Sequence, residues 1–178
     1  TEIYTLSLHD ALPICNKALL DRNFEPIAIN LTFESINDPE FHQWLNKLLR
    51  SSTLRERLCF DIPEAAVYSS PEACEALCTI IRDNGAHFGI DHFGRQFGSM
   101  SYLQNLRPSY VKLDQSFAYY DESEHSSELC RALINVAKGL DIEVIVTGIE
   151  EKAQLERFEP LKTNAYMGYV SPPVDIEL

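Results

Sequence analysis

The sequence is poor in positive charge. It carries 15 Lys and Arg residues against 27 Asp and Glu residues, a formal net charge of −12 at pH 7. Proteins that bind DNA or RNA without regard to base sequence present a basic face to the phosphates. The composition therefore argues against nucleic-acid binding, and any anionic ligand would need help from a metal ion or a few placed cations.

Long apolar runs and paired cysteines are also missing. No stretch of 18 consecutive apolar residues occurs, so the sequence predicts no membrane-spanning helix. The five cysteines are odd in number and lie mostly in helix-like or strand-like runs, which favours a reducing, cytoplasmic compartment over a disulfide framework. Cys74 and Cys78 stand one helical turn apart without a second pair, and we interpret them as core residues.

The 178 residues are 45% hydrophobic and 24% charged, as expected for one globular domain. The first 14 residues, TEIYTLSLHDALPI, match the translation of a sequencing-library adapter. We interpret residues 1–14 as non-native and residues 15–178 as a partial domain that has lost its beginning. Such a segment is not selected to pack on this core, although apolar residues such as Ile3 can adhere to an open sheet edge.

Short apolar runs alternate with amphipathic segments along the rest of the chain. About six strands are predicted, each apolar on both faces and joined to the next by a short helical connection. This alternation predicts an α/β fold with a parallel sheet, which we interpret as a TIM-like (β/α)8 barrel incomplete at its N-terminus. An open doubly wound sheet is the alternative, but the chain lacks a G-x-G-x-x-G turn after its first strand.

Polar side chains follow most of the predicted strands. They are Asn30, Glu64, Asp91, Lys112 with Asp114, and Glu150 in the turn after Thr147. In a barrel the carboxyl ends of the strands meet on one face. Amide and carboxylate oxygens suit Mg²⁺ or Mn²⁺, and a lysine beside them can bind a phosphate or orient a water. Each residue alone is typical of a solvated strand end, but their repetition at successive strands favours a site.

Seven short motifs stand in a fixed order along the chain. They are Ile29-Asn30-Leu31, Phe60-Asp61-Ile62-Pro63-Glu64, Asp91-His92-Phe93-Gly94, Tyr102-Leu103, Val111-Lys112-Leu113-Asp114-Gln115-Ser116-Phe117, Val146-Thr147-Gly148-Ile149-Glu150 and Met167-Gly168-Tyr169. In this order and spacing, from about Asn16 to Pro173, the chain resembles the EAL domain, the bacterial phosphodiesterase fold for cyclic di-GMP.

The resemblance implies roles for individual residues. Asn30, Glu64 and Asp91 match the positions that hold the metal, Mg²⁺ or Mn²⁺. Lys112 matches the position that contacts the attacking water, and Glu150 is a second catalytic candidate. The candidate ligand-binding residues for cyclic di-GMP are Asn30, Arg95, Asp114, Tyr169 and Pro173.

The chain also departs from the family pattern. The motif that names the family lies on an earlier strand and is absent. His92 stands where the family has an Asp that holds a second metal, Thr147 where it has a Glu, and Met167 where it has a Gln. Hydrolysis by two metals needs both ions in place. The resemblance therefore implies an incomplete metal site and a degenerate domain that binds cyclic di-GMP without cutting it.

Two other functions stay open at this point. One is an active cyclic di-GMP phosphodiesterase in which His92 acts as a substitute ligand, and the other is an interaction module without ligand. The stretches around Arg95 and Arg107 resemble receptors of the LapD type. That resemblance implies a multidomain parent anchored in the inner membrane, with its EAL domain in the cytoplasm, and leaves a dimeric parent open.

Overall fold

The computed structural model describes residues 2–5, 27–51, 55–96, 98–119 and 124–169. The chain divides into two compact units, Thr1–Gly89 and Ile90–Leu178. Strand and helix alternate in both, as the sequence predicts. Within the described ranges, no helix has both the length and the apolar composition needed to cross a bilayer.

The first unit begins with three neighbouring parallel strands. These are β1 (Glu2–Thr5), β2 (Ile27–Asn30) and β3 (Leu58–Pro63), with β2 paired to both others. The unit also holds the start of β4 (His87–Phe93), a 3₁₀ turn at Arg55–Arg57, and the helices α1 (Phe33–Asn37), α2 (Pro39–Ser51), α3 (Glu64–Ser69) and α4 (Pro71–Asp83).

Burial explains these elements. In β2 the consecutive residues Ile27, Ala28 and Ile29 are all buried, as in a strand covered on both faces. Helix α2 buries Phe41, Leu45 and Leu49, which recur every four residues and so share one face. The strands and helices of the first unit thus enclose one apolar core.

The second unit repeats the pattern. It holds the end of β4, then β5 (Tyr110–Leu113), β6 (Glu143–Val146) and β7 (Ala165–Tyr166), with β6 parallel to both β5 and β7. Its helices are α5 (Ser101–Leu106), α6 (Ser116–Tyr119), α7 (Glu124–Gly139) and α8 (Lys152–Phe158), followed by a 3₁₀ turn at Glu159–Leu161. All four residues of β5 are buried, including Lys112.

The described residues contain seven strands rather than about six, because Glu2–Thr5 form β1. This strand lies in the segment interpreted as adapter-derived and pairs with β2 from Glu2↔Ile27 to Thr5↔Asn30. The pairing agrees with the expectation that residues of this segment can adhere to an open edge of the sheet. The origin of residues 1–14 stays a prediction, and residues 6–26 lie outside the described ranges.

The interpretation of Cys74 and Cys78 as core residues is confirmed. Both are buried on α4, and burial raises the pKa of the Cys74 thiol to about 11. A thiol with so high a pKa is almost wholly protonated at neutral pH, so it is neither a good nucleophile nor a ready metal ligand. These cysteines serve packing.

Candidate functional site

In the first unit, Asn30 and Glu64 stand at the carboxyl ends of neighbouring strands. Asn30 is the last residue of β2, and Glu64 directly follows β3 and opens α3. The parallel register aligns Asn30 with Asp61, so both strands end at the same edge of the sheet. Glu64 is only 1% exposed. Burial raises the pKa of the nearby Tyr68 phenol, and the negative charge of Glu64 raises it further.

In the second unit, the imidazole of His92 lies between two carboxylates. Its Nδ1 is 2.9 Å from Oδ2 of Asp114, and its Nε2 is 3.6 Å from Oδ2 of Asp91. The backbone N–H of His92 donates to Oδ1 of Asp91 over 2.9 Å. His92 has φ 57°, in the left-handed region that His enters more readily than most residues. The Asp91-His92 pair of the sequence therefore belongs to a three-residue cluster with Asp114.

Asp114 is buried and strongly hydrogen-bonded. Its Oδ1 accepts the Ser116 amide N–H over 3.0 Å. Burial alone raises the pKa of Asp114, but the bonds from Ser116 and the contact with His92 outweigh it and hold the pKa below its usual value. Asp114 is thus an anion at neutral pH. Because a carboxylate can only accept, the His92 nitrogen that faces it must carry the proton.

Lys112 is the last residue but one of β5, and Thr147 directly follows β6; the two strands pair with Leu113 opposite Val146. Lys112 is 3% exposed. The Thr147 hydroxyl donates to the Leu113 carbonyl over 2.7 Å. That bond satisfies the carbonyl of the last residue of β5, so the Thr147 hydroxyl already donates its hydrogen to the backbone.

The turn after β6 brings Glu150 and Met167 close to Thr147. The Met167 amide donates to the Val146 carbonyl over 2.8 Å, and the Met167 carbonyl accepts from the Ile149 amide over 3.0 Å. Glu150 is exposed and accepts a 2.7 Å hydrogen bond from the Tyr119 hydroxyl. These backbone bonds place Met167, which directly follows β7, beside the turn that carries Thr147 and Glu150.

The remaining ligand-binding candidates are exposed or undescribed. Arg95 is exposed, and its backbone N–H donates to the His92 carbonyl over 3.1 Å in the turn after β4. Tyr169 is 76% exposed. Pro173 lies outside the described residues.

Three residues near these positions received no role from the sequence. Asp61 is a carboxylate only 1% exposed within β3. Tyr119 and Gln154 both contact the turn after β6. Gln154 has a recognisable signal, since it stands three residues after Glu151 in a capping box at the start of α8. Tyr119 has none, because nothing in its sequence neighbourhood indicates a partner 31 residues away.

A hard divalent cation such as Mg²⁺ or Mn²⁺ prefers oxygen ligands. In the first unit Asn30 offers an amide oxygen and Glu64 a carboxylate, and in the second unit Asp91 offers a carboxylate; each is a donor type that suits Mg²⁺ or Mn²⁺. His92 and Thr147 fit a second such ion poorly, because one offers an imidazole and the other a neutral hydroxyl, both already hydrogen-bonded. Across the described part of the chain, no three or more His, Cys, Asp and Glu side chains are arranged so that they could hold a metal.

Replacing Asp114 by Asn should lower the free energy of unfolding at pH 7 by about 1–3 kcal/mol, because charge-assisted hydrogen bonds are lost. Since the pKa of Asp114 is lowered in the folded state, its contribution is complete above the unfolded value near 3.9. The contribution is lost as the pH falls through the folded-state pKa. We expect urea denaturation between pH 6 and pH 2.5 to show that the difference in unfolding free energy between wild type and Asp114→Asn becomes smaller in acid.

The matched control is Asp83→Asn at the exposed end of α4, which should change stability by less than about 0.5 kcal/mol at every pH. If the difference in unfolding free energy between wild type and Asp114→Asn became larger in acid, the lowered pKa of Asp114 in the folded state would be contradicted.

Comparison with known proteins adds family relationships to this geometry. The EAL domain family matches residues 3–173. LapD of Vibrio cholerae, solved as an S helix-GGDEF-EAL protein without ligand, has a TM-score of 0.85 and 28% identity, covering 90% of this chain and 40% of that chain. The FimX EAL domain of Pseudomonas aeruginosa bound to c-di-GMP has a TM-score of 0.81 at 24% identity, covering 93% and 69%.

A curated relative from Escherichia coli K12, described as the probable cyclic di-GMP phosphodiesterase PdeG, is 26% identical over 145 residues. The match covers 80% of this chain and 29% of PdeG. This chain thus spans less than a third of the length of the curated relatives it matches first.

The family match covers far more than half of the chain, and the solved EAL domains share its fold. The EAL-type α/β fold with parallel strands, predicted from the strand-end motifs, is confirmed. The chain belongs to the EAL domain family.

Proposed function

We propose that this chain is the cyclic di-GMP-binding domain of a signalling receptor and does not hydrolyse its ligand. The observation that carries the proposal is the state of His92. It stands at the family's second metal-binding aspartate, and its Nδ1 is committed to Asp114 at 2.9 Å. A side chain in this state adds no negative charge to hold a second divalent cation.

Thr147 supports the same conclusion. It replaces a family glutamate, and its hydroxyl donates to the Leu113 carbonyl. Hydrolysis with two metals relies on the ions to stabilise charge on both the attacking and the leaving oxygens. With no anionic side chain at positions 92 and 147, the second of these ions lacks its anionic ligands. The chemical step is therefore expected to be lost while binding persists.

Binding of cyclic di-GMP, unlike its hydrolysis, does not require a second metal ion. The oxygens of Asn30, Glu64 and Asp91 would hold one Mg²⁺ or Mn²⁺, which neutralises phosphate charge when bound. Lys112 and Arg95 offer cations in a chain with a net charge of −12. The exposed ring of Tyr169 can stack on a purine, and Asp114 and Pro173 complete the proposed ligand-binding set.

The solved relatives support a dinucleotide ligand. The Vibrio cholerae LapD protein has also been solved bound to c-di-GMP, as has the FimX EAL domain. The match covers 40% of the LapD chain, whose other parts are an S helix and a GGDEF domain. We propose that this chain likewise belongs to a multidomain protein, in which membrane anchoring and dimerisation would be functions of other segments.

An active phosphodiesterase is the second candidate. His92 has a 44% exposed side chain, and its Nε2 is 3.6 Å from a carboxylate oxygen of Asp91. That nitrogen could coordinate Mn²⁺ together with Asp91. The relative PdeG, described as a probable cyclic di-GMP phosphodiesterase, is consistent with this alternative.

The test is an equilibrium titration of the full protein with cyclic di-GMP, with and without Mg²⁺ or Mn²⁺, beside an assay for the linear dinucleotide. We expect saturable binding and no turnover above background. Asp91→Asn should weaken the metal-dependent part of the binding, whereas the surface control Asp83→Asn should not. Turnover by the unmodified protein would establish the phosphodiesterase, and absence of binding would leave an interaction module.

A further inference from the structure

The turn that carries Glu150 is fixed by side chains outside the proposed ligand-binding set. Tyr119 donates its hydroxyl hydrogen to Oε1 of Glu150 over 2.7 Å. The ring of Tyr119 also lies against the turn, because a Cβ added to Gly148 would come within 3.4 Å of Cε2. Gly148 has φ +77°, and an added Cβ would also lie only 2.8 Å from Cβ of Gln115, so the turn requires a residue without a side chain at this position.

Side chains of α8 hydrogen-bond the backbone just before Tyr119. Tyr119 is the last residue of α6, and the two carbonyls before it are bonded by α8. Arg157 donates to the Phe117 and Ala118 carbonyls over 3.1 and 2.6 Å, and Gln154 Nε2 donates to Ala118 over 3.1 Å. These bonds satisfy carbonyls at the end of a short helix and limit the movement of Tyr119.

The side-chain amide of Gln154 joins the end of α6 to the turn after β6, because its oxygen is bonded to that turn. Its Oε1 accepts the backbone N–H groups of Glu150 and Glu151 over 2.7 and 2.9 Å. The backbone of the turn is thereby fixed to α8, and the Glu150 carboxylate is fixed to α6. The hydrogen bond to Glu150 is also the main reason why the pKa of Tyr119 is raised, so the phenol stays protonated as a donor.

We propose that Tyr119 is a positioning residue, which holds the Glu150 carboxylate and the turn after β6 in the arrangement that binds the ligand. The proposal rests on the cyclic di-GMP-binding function proposed above. It assigns Tyr119 no contact with the ligand; the phenol acts through Glu150. Removing the hydroxyl should leave the core intact, since Tyr119 is 53% exposed, but should free the carboxylate and loosen the turn.

The test compares Tyr119→Phe with the unmodified full protein. We expect hydrogen exchange of the amides in residues 147–151 to accelerate by about fivefold or more, because local opening becomes easier. The Kd for cyclic di-GMP should rise by about fivefold, because the binding-competent arrangement of the turn would be only fractionally populated without the bond. Glu156→Gln on α8, which removes only the 3.8 Å surface contact with Lys152, should change neither quantity.

A double-mutant cycle separates positioning from a general loss of structure. If Tyr119 acts through Glu150, Tyr119→Phe should have little further effect on the Kd in a Glu150→Ala background. An equal rise in both backgrounds would overturn the proposal. Should the unmodified protein not bind cyclic di-GMP, the proposed function fails, and the exchange rates alone decide: faster exchange in Tyr119→Phe supports the positioning role, and unchanged exchange refutes it.

Discussion

In the full protein, replacing His92 by Asp and Thr147 by Glu together is expected to raise the turnover of cyclic di-GMP by about a hundredfold or more above background. The two changes restore the acidic side chains that the resemblance to the EAL family implies at these positions, where we propose that a second metal would be held. In the unmodified chain these positions carry an imidazole bonded to Asp114 and a hydroxyl bonded to the Leu113 carbonyl. Charge on the attacking and leaving oxygens would then be stabilised from both sides.

The same substitution predicts a change in stability that is independent of catalysis. An aspartate at position 92 would stand beside Asp91 and facing Asp114, where the imidazole now lies between two carboxylates. Like charges so close destabilise the fold unless a cation binds between them. The thermal midpoint of the double variant should therefore fall without divalent ions and recover as Mn²⁺ is added, since a ligand of the native state stabilises it.

The measurement is the release of linear dinucleotide with Mg²⁺ or Mn²⁺, followed by chromatography. Adding Lys112→Met to the double variant should abolish the gained activity, because the ammonium proposed to contact the attacking water is lost while most of the buried stem is kept. Met167→Gln, the third departure from the family, is the next substitution to combine. Robust turnover by the unmodified protein would refute the receptor function.

Gly168→Ala is expected to cost roughly 4 kcal/mol of folding free energy, at the exceptional end of single substitutions. A Cβ at this position would clash with the Ile149 carbonyl oxygen and lie 2.5 Å from the Ile149 nitrogen, and Gly168 has φ +152°. The clash is with backbone, which cannot rotate away like a side chain. The hydrogen bond between the Ile149 amide and the Met167 carbonyl should break.

Gly139→Ala is the matched control for this prediction. Gly139 ends α7, and a Cβ there would meet no heavy atom within 4 Å. Alanine should leave stability unchanged or raise it by up to about 1 kcal/mol, through its higher helix propensity and the smaller entropy of the unfolded chain. Urea denaturation compares the two variants. A Gly168→Ala protein as stable as wild type would show that residues 167–169 do not pack on Ile149 in solution.

Most of the fold could be predicted from the sequence because the signals are local. The buried run Ile27–Ile29 predicts a strand covered on both sides, and the four-residue spacing of Phe41, Leu45 and Leu49 predicts the buried face of α2. Such patterns depend only on the period of each element. Strand β1 was not predicted, because residues 1–14 were interpreted as adapter-derived and their residue pattern was therefore not used to predict the fold.

The sequence by itself determined the family, the alternation of strand and helix, and the placement of polar residues at strand ends. Only the tertiary structure decided which of them are bonded to each other. The bond from His92 to Asp114 joins residues 22 positions apart, and that from Tyr119 to Glu150 joins residues 31 apart. Partners so distant along the chain meet only because parallel strands and their helices bring them together, and the length of a connection does not encode which side chains will face each other.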